Sequence, residues 1–234
     1  WAGYAIVGER YPMIKATDWV RNPEGKMIVD PVTGLPKAGD IVAVGTSDPT
    51  IRIGLNSVMK WKGFSLAATF DYRGGHYTRP SSEYNMLFTG ASYISGISGR
   101  QRFVFPNSVI AETDASGNVT YRENTDITVN DAGKTFWNGI YKQGRANQII
   151  SAASWRLREL SLGYDVPKKY LKKVGFLQRA SVSLVGRNLF MWTPSTNIWG
   201  DPDFTGSGNG NVGGFSGTNN VGQRSYGFNL LLSF

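Results

Sequence analysis

Long runs in which apolar and polar residues alternate are the feature that most limits what this chain can fold into. Every second side chain of a β-strand points to the same face, so the alternation indicates strands with one apolar and one polar face. The run at 64–73 places Phe64 and Tyr72 on one face and Ser65 and Arg73 on the other. Further runs occupy 51–60, 154–166, 178–192 and 223–234, and a weaker one occupies 11–20. We therefore predict an all-β chain of about six strands.

The runs are long for a soluble protein. Each spans roughly ten residues or more, which a tilted strand needs to cross a membrane, whereas soluble strands average about five to six. The apolar phase of 154–166 moves by one residue after Leu157, which predicts a β-bulge near Arg158 and Glu159. Length and alternation together indicate antiparallel transmembrane strands. A soluble β-sandwich, whose strands also alternate, is the alternative.

The connections between these runs are short and long in turn. The link at Lys62 and Gly63 is a tight hairpin turn, and 165–177 is also short. The long links are 21–50, 74–150 and 193–222. With the C-terminus on the periplasmic side, every short link is periplasmic and every long link is extracellular, as in outer-membrane barrels. We therefore predict a multi-pass β-barrel segment of the outer membrane with long extracellular loops.

The number of strands is too small for a complete barrel. Membrane barrels have at least about eight strands, and no earlier segment of this chain suits a plug domain. We interpret residues 1–234 as the C-terminal part of a larger barrel, whose plug and N-terminal barrel strands are absent from this chain.

Composition excludes several other classes of protein. There is no cysteine, which removes disulfide scaffolds and thiolate metal sites, and no apolar run approaches the roughly 20 residues of a spanning helix. The net charge of +8 raises the question of nucleic-acid binding, but most of the basic residues are scattered through strands and loops. The one dense basic cluster lies on a short turn and comprises Lys168, Lys169, Lys172 and Lys173. We expect no nucleic-acid partner.

The C-terminal run ends in an aromatic residue. Its apolar face carries Tyr226, Phe228, Leu230, Leu232 and Phe234. Such a strand can add to another sheet edge by backbone pairing while its side chains give specificity. We interpret these five residues as a signal for the barrel assembly machinery. An ordinary final strand that happens to end in phenylalanine is the alternative.

Three motifs occur in order before the terminal strand: WRLRELSLGY at 155–164, PKK at 167–169 and VGRNLF at 185–190. Together they resemble the ending of the SusC/RagA family of TonB-dependent outer-membrane transporters. DP at 48–49, KGF at 62–64, FDYRGG at 70–75 and QRSYGFNL at 223–230 add to the likeness. Arg187 stands where glutamine is common in the family, and 74–150 carries no pattern of the family.

The resemblance implies a barrel of about 22 strands with a plugged lumen. It also implies a SusD-like surface lipoprotein that closes over the extracellular mouth, and a TonB contact on an N-terminal region that this chain lacks. The function it implies is active uptake of a nutrient, either an oligosaccharide or a peptide. Two alternatives stay open: a secreted β-sandwich module for carbohydrate binding or adhesion, and a passive porin-like barrel.

The candidate functional residues fall into two groups. Polar residues of the alternating runs are candidates for the lumen-facing surface: Arg52, Asn56, Lys60, Asp71, Arg73 and Arg187. Residues of the last long link are candidates for contact with substrate or with the lipoprotein: Trp199, Asp201, Asp203 and Phe204.

No catalytic or metal site is expected. His76 is the only histidine, so histidine-based triads and multi-histidine metal sites are absent, and we expect no enzyme activity. Asp201, Asp203, Asn209 and Asn211 carry the oxygen ligands that calcium prefers, but their spacing matches no strict calcium loop. A calcium ion in this extracellular loop is therefore the one cofactor that the sequence leaves open.

Overall fold

The structure is a computed structural model that describes residues 3–172, 175–203, 215–216 and 222–234. These residues are mostly β. The strands are β1 (Met13–Trp19), β2 (Met27–Val29), β3 (Ala38–Thr46), β4 (Ile51–Trp61), β5 (Phe64–Gly74), β6 (Tyr77–Pro80), β7 (Ser108–Thr113), β8 (Val119–Glu123), β9 (Ile150–Ser151), β10 (Ser154–Asp165), β11 (Arg179–Trp192), β12 (Phe215–Ser216) and β13 (Ser225–Ser233). The helices are α1 (Ser81–Thr89), α2 (Tyr93–Ile97) and α3 (Lys168–Leu171), with a π-helical segment (Phe136–Ile140) and a 3-10 segment (Tyr141–Gln148). Within the described ranges, no helix has the length and apolar character needed to cross a membrane.

The chain divides into two compact units. Unit 1 comprises Trp1–Asp48, Tyr77–Ile150 and Thr205–Thr218, and unit 2 comprises Pro49–His76, Ser151–Phe204 and Asn219–Phe234.

Unit 2 contains an antiparallel sheet in the order β13-β11-β10-β5-β4. Five of the six predicted runs form it, and the sheet is open, because β13 and β4 are its two edges. The predicted hairpin at Lys62 and Gly63 joins β4 to β5. Both residues have positive φ angles, 46° and 90°, as a two-residue type I′ turn requires. Glycine suits the second position because an added Cβ would lie 3.0 Å from the carbonyl oxygen of Asp165.

The register gives this sheet two faces of opposite character. One cross-strand row consists of Met59, Leu66, Leu162, Leu184 and Phe228. The adjacent row, on the other face, consists of Lys60, Ser65, Gly163, Ser183 and Asn229. Leu184 and Phe228 are 57% and 61% exposed, so the described residues leave this apolar face uncovered. The alternation predicted from the sequence is confirmed, and it separates an exposed apolar face from a polar face.

The predicted bulge is confirmed. The register of β10 shifts between Leu157 and Glu159 against both of its neighbours. The extra residue of β10 is Arg158. Asn188 lies in the facing stretch of β11, between Arg187 and Phe190, and adopts a φ of 52°. Asparagine tolerates this left-handed conformation better than most residues.

The sixth predicted run lies outside this sheet, in unit 1. There β1 pairs with β3 in a two-stranded antiparallel sheet. The sequence predicts a long connection over 21–50, and this prediction is wrong for β3. The segment AGDIVAVGT places small or apolar residues on both faces, so it lacks the alternation that reveals a strand.

The rest of unit 1 is built from short elements around an aromatic core. In one sheet β2 pairs in parallel with β7, which pairs antiparallel with β8. In another sheet β6 pairs in parallel with β12. Phe136 is 1% exposed and makes edge contacts with Phe103 and Trp137, at 5.6 and 4.9 Å between ring centroids. Segment 74–150, predicted as a long extracellular loop, is thus a structured part of the chain.

Candidate functional site: the charged face of the sheet

The polar face of the unit 2 sheet holds all the residues predicted to face a lumen. Cross-strand pairing places these six side chains opposite the exposed apolar rows: Arg52, Asn56 and Lys60 on β4, Asp71 and Arg73 on β5, and Arg187 on β11. The structure therefore groups them on one face of one sheet.

Two arginines of β10 lie at the centre of this face, and neither is among the six residues predicted to face a lumen. Arg156 pairs across the strands with Asp71, and Arg158 is the bulge residue. Their alternation with Trp155 and Leu157 was the signal that could have identified them as polar-face residues.

Arg156 is a buried arginine that binds Asp201. Its side chain is 7% exposed, and its Nη1 donates to Asp201 Oδ2 at 2.7 Å while its Nη2 donates to the other carboxylate oxygen. Arg156 Nε also donates to Ser154 Oγ at 3.3 Å and lies 3.4 Å from Asp203 Oδ2. A two-pronged arginine–carboxylate pair of this kind is directional as well as strong. It attaches the segment after β11 to the middle strand of the sheet.

Arg158 links the same segment to β5. Its Nε donates to Asp71 Oδ2 at 2.8 Å, and its Nη2 donates to Asp203 Oδ2 at 2.7 Å. Asp203 also accepts a hydrogen bond from Arg73 Nη1 at 3.3 Å. Three arginines and three aspartates thus form one connected network, which we call the arginine–aspartate network: Arg73, Arg156, Arg158, Asp71, Asp201 and Asp203.

The network keeps the Asp201 carboxyl ionised. Burial raises its pKa, but the hydrogen bonds from Arg156 and from the backbone N–H of Asp203, together with the positive charges of Arg156 and Arg158, outweigh this effect. The net result is a pKa below the ordinary aspartate value.

The bulge raises the charge density of this face. Because Arg158 is an extra residue, it and Glu159 both direct their side chains to the polar face, where Glu159 Oε2 accepts from Arg187 Nε at 2.9 Å. The Arg187–Glu159 pair is exposed, unlike Arg156.

The loop residues predicted to contact a partner have different environments. Asp201 and Asp203 are engaged in the arginine–aspartate network, while Trp199 is half-buried and its backbone N–H donates to Asn197 Oδ1 at 3.2 Å. Phe204, Asn209 and Asn211 lie outside the described residues. Within the described part of the chain, no group of three or more metal-binding side chains occurs. The calcium hypothesis therefore stays a prediction.

The C-terminal residues proposed as an assembly signal lie on an edge strand. Tyr226, Phe228, Leu230 and Leu232 belong to β13 and are exposed on the apolar face. Phe234 stacks on Phe176 with 6.0 Å between ring centroids. Among the described strands, β13 pairs only with β11, which leaves its other backbone edge open for pairing.

A cleft of about 470 Å³ opens beside the arginine–aspartate network. Its lining includes Arg156, Arg158, Asp201 and Asp203. Asn188, Phe190 and Arg224 contribute further lining.

An open antiparallel sheet with one exposed apolar face and one charged face has the side-chain arrangement of a membrane barrel wall. No family model matches the chain, and no curated protein sequence matches it. Solved structures do match. The chain is similar to the RagAB peptide importer in its closed-closed state, with a TM-score of 0.57 and 18% identity over 95% of this chain and 23% of that one.

Two further structures give the same result. The open-open state of the RagAB peptide importer matches with a TM-score of 0.55 and 18% identity, over 95% of this chain and 22% of that one. A RagAB peptide transporter structure matches with a TM-score of 0.58 and 16% identity, over 95% of this chain and 23% of that one. This chain therefore spans about a quarter of the length of those chains, and it shares their fold over that part. All three are transport proteins rather than enzymes.

Proposed function

We propose that this chain is part of the wall of an outer-membrane β-barrel that imports a nutrient. In this proposal residues 1–234 form the C-terminal part of a barrel of about 22 strands, with the C-terminus in the periplasm. The charged face of the sheet lines the lumen and the apolar face contacts lipid. The observation that carries the proposal is the exposure of the apolar face combined with the burial of Arg156 on the opposite face.

The proposed partners follow from the same assignment. A SusD-like surface lipoprotein covers the extracellular mouth, and TonB engages an N-terminal region that this chain does not contain. The similarity to RagAB importers supports the lipoprotein partner. The exposed edge and aromatic face of β13 support recognition by the barrel assembly machinery. In this proposal the substrate class is a peptide or an oligosaccharide, the protein catalyses no reaction, and calcium in the loop after β11 is the one cofactor left open.

The secreted β-sandwich is the weaker interpretation. A sandwich covers the apolar face of each sheet with a second sheet about 10 Å away. In unit 2 the apolar side chains Leu55, Leu184 and Phe228 are all more than half exposed. No second layer among the described residues covers them.

Cell fractionation and energised uptake together test the proposal. We expect the protein in the outer-membrane fraction, extracted only by detergent, and we expect deletion of its gene to abolish uptake of a peptide or oligosaccharide. A proton uncoupler should also stop the uptake. Uptake that persists with the uncoupler would identify a passive porin-like barrel, and recovery of the protein in the soluble secreted fraction would identify a sandwich module.

A further inference from the structure

We infer that the cleft beside the arginine–aspartate network binds a carboxylate group of the imported substrate, with Arg224 as its main ligand. This inference rests on the proposed import function and names the chemistry of the substrate. A peptide C-terminus and an acidic sugar both carry such a group.

The cleft is large enough for a substrate group and is lined by charged side chains that are held in place. Its volume of about 470 Å³ lies within the roughly 300–1,000 Å³ range of small-molecule sites. Arg156 and Arg158 line it, and both are fixed by hydrogen bonds to aspartates. A side chain that is already held in place loses little conformational freedom when a ligand binds beside it.

The charges that line the cleft do not cancel. Arg156, Arg158 and Arg224 contribute three positive charges, and Asp201 and Asp203 contribute two negative charges. The residues between Asp203 and Arg224 in the sequence include no aspartate or glutamate. The cleft therefore carries a net positive charge.

Arg224 is the arginine with spare hydrogen-bonding capacity. Its guanidinium carbon lies 5.9 Å from the centroid of the Phe190 ring, and it forms no hydrogen bond with any other residue that the structure describes. Asn188 Nδ2 donates to the backbone oxygen of Gln223 at 3.4 Å, which holds the preceding residue against the bulge. Stacking over a ring leaves the five N–H donors of arginine available in their plane.

A planar carboxylate is the group that best satisfies such a guanidinium. It accepts two parallel hydrogen bonds from arginine, and Phe190 supplies an apolar surface next to it. A cationic group is less suited, because the oxygens of Asp201 and Asp203 already accept hydrogen bonds from Arg156 and Arg158.

Calorimetric titration of the purified importer with paired probes tests the inference. One pair is N-acetyl-tetraalanine and its C-terminal amide, and the other is trigalacturonic acid and the neutral galactose trimer. We expect the acid of one pair to bind at least about tenfold more tightly than its neutral partner, which corresponds to about 1.4 kcal/mol. The pair that shows the difference identifies the carboxylate as peptide or sugar.

Variants assign the effect to Arg224. We expect Arg224→Gln to lower the affinity for the acid to that of the neutral probe, and Arg224→Lys to retain part of the difference. Arg179→Gln is the matched control, because it removes an arginine of the same sheet that pairs with Asp165 and does not line the cleft. It should bind the acid as the unchanged protein does.

Three results would overturn the inference: equal affinity for acid and neutral probes, no binding of either acid, or an acid preference that survives in Arg224→Gln. Each leaves the import function standing if deletion of the gene still abolishes energised uptake. Loss of that uptake phenotype would instead contradict the proposed function itself.

Discussion

The two units of the chain differ in how they expose apolar side chains and bury charged ones. In unit 1 the least accessible side chains are apolar, such as Phe136 and Ile14, each 1% exposed. In unit 2 Phe228 is 61% exposed and Leu55 is 56% exposed, while Arg156 is 6% exposed. Unit 1 thus follows the rule for proteins in water, and the sheet of unit 2 inverts it.

The inversion marks the surface that we propose to be in contact with lipid. Burying apolar area contributes roughly 25 cal/mol per Å², and soluble monomers rarely expose contiguous apolar patches above a few hundred Å². The exposed rows of β4, β10, β11 and β13 form such a patch across the sheet. Lipid on this face would remove the penalty, which is why the contrast between the units supports the membrane proposal.

Truncating the unit 1 core should have the largest effect. Phe136→Ala removes a fully buried ring that packs on Phe103 and Trp137, so we expect a loss of about 3–5 kcal/mol in local unfolding free energy. Hydrogen exchange of segment 136–148 in the purified protein measures it. The matched control is Phe228→Ala, which should leave exchange of that segment unchanged. An equal loss in both variants would remove the distinction between the units.

Removing the buried arginine should have the next largest effect. Arg156→Gln leaves the Asp201 carboxylate without its two-pronged partner, and breaking a buried pair costs about 3 kcal/mol. Exchange of segment 197–203 should rise accordingly. The control Arg187→Gln breaks an exposed pair and should change the free energy by less than about 1 kcal/mol. A loss below 1 kcal/mol in Arg156→Gln would show that the network does not hold this segment.

The effect of pH on this network follows from Asp201. Its pKa is depressed in the folded protein, so its stabilising contribution is present above the ordinary aspartate pKa and is lost as the pH falls through the lower folded value. The segment should therefore stay attached at pH 5 and exchange faster only in strong acid.

The sequence predicts the sheet of unit 2 well because one physical rule governs it. Alternation reports which face each residue takes, and a shift of phase reports the bulge at Arg158. The alternation does not predict the pairing of Arg156 with Asp201, because these two residues lie 45 positions apart in the sequence. That contact depends on where the segment after β11 folds back, and no local pattern specifies it.

Unit 1 was harder to predict for a different reason. Its strands and helices are mostly short, as in β2 with three residues and α2 with five, so few of them span enough residues to show a period. β3 is longer but carries small and apolar residues on both faces. Its position is decided by pairing with β1, which is a tertiary interaction.

A charge on the apolar face tests the lipid assignment directly. Leu184→Lys places an ammonium on that face beside Leu162 and Phe228, where we expect a lipid-facing charge to cost about 2–3 kcal/mol. Ser183→Lys places the same charge on the opposite face of β11 and should cost less than about 0.5 kcal/mol. Urea titration of the protein in lipid vesicles compares them. Equal losses would mean that the apolar face does not contact lipid.

The smallest expected effect concerns a buried acid in unit 1. Glu83 of α1 is 3% exposed, and burial raises its pKa to about 8 although the nearby charge of Arg79 lowers it. Burial and the charge of Glu83 in turn raise the pKa of Tyr141 to about 12. Because its pKa is about 8, Glu83 is protonated at neutral pH. Asp201 on the charged face of unit 2 is ionised instead.

The opposite pKa shift gives the opposite pH dependence. The pKa of Glu83 is higher in the folded protein than in the unfolded chain. The contribution of protonated Glu83 to the free energy of unfolding is therefore complete below about pH 4.5 and disappears as the pH rises towards 8. Glu83→Gln cannot ionise, so its free energy of unfolding relative to that of the unchanged protein should rise by about 2 kcal/mol between pH 5 and pH 6.5. Urea titrations at the two pH values measure this change. A constant difference between the two proteins would show that Glu83 is ionised in the fold and that unit 1, like the sheet of unit 2, accommodates a buried charge.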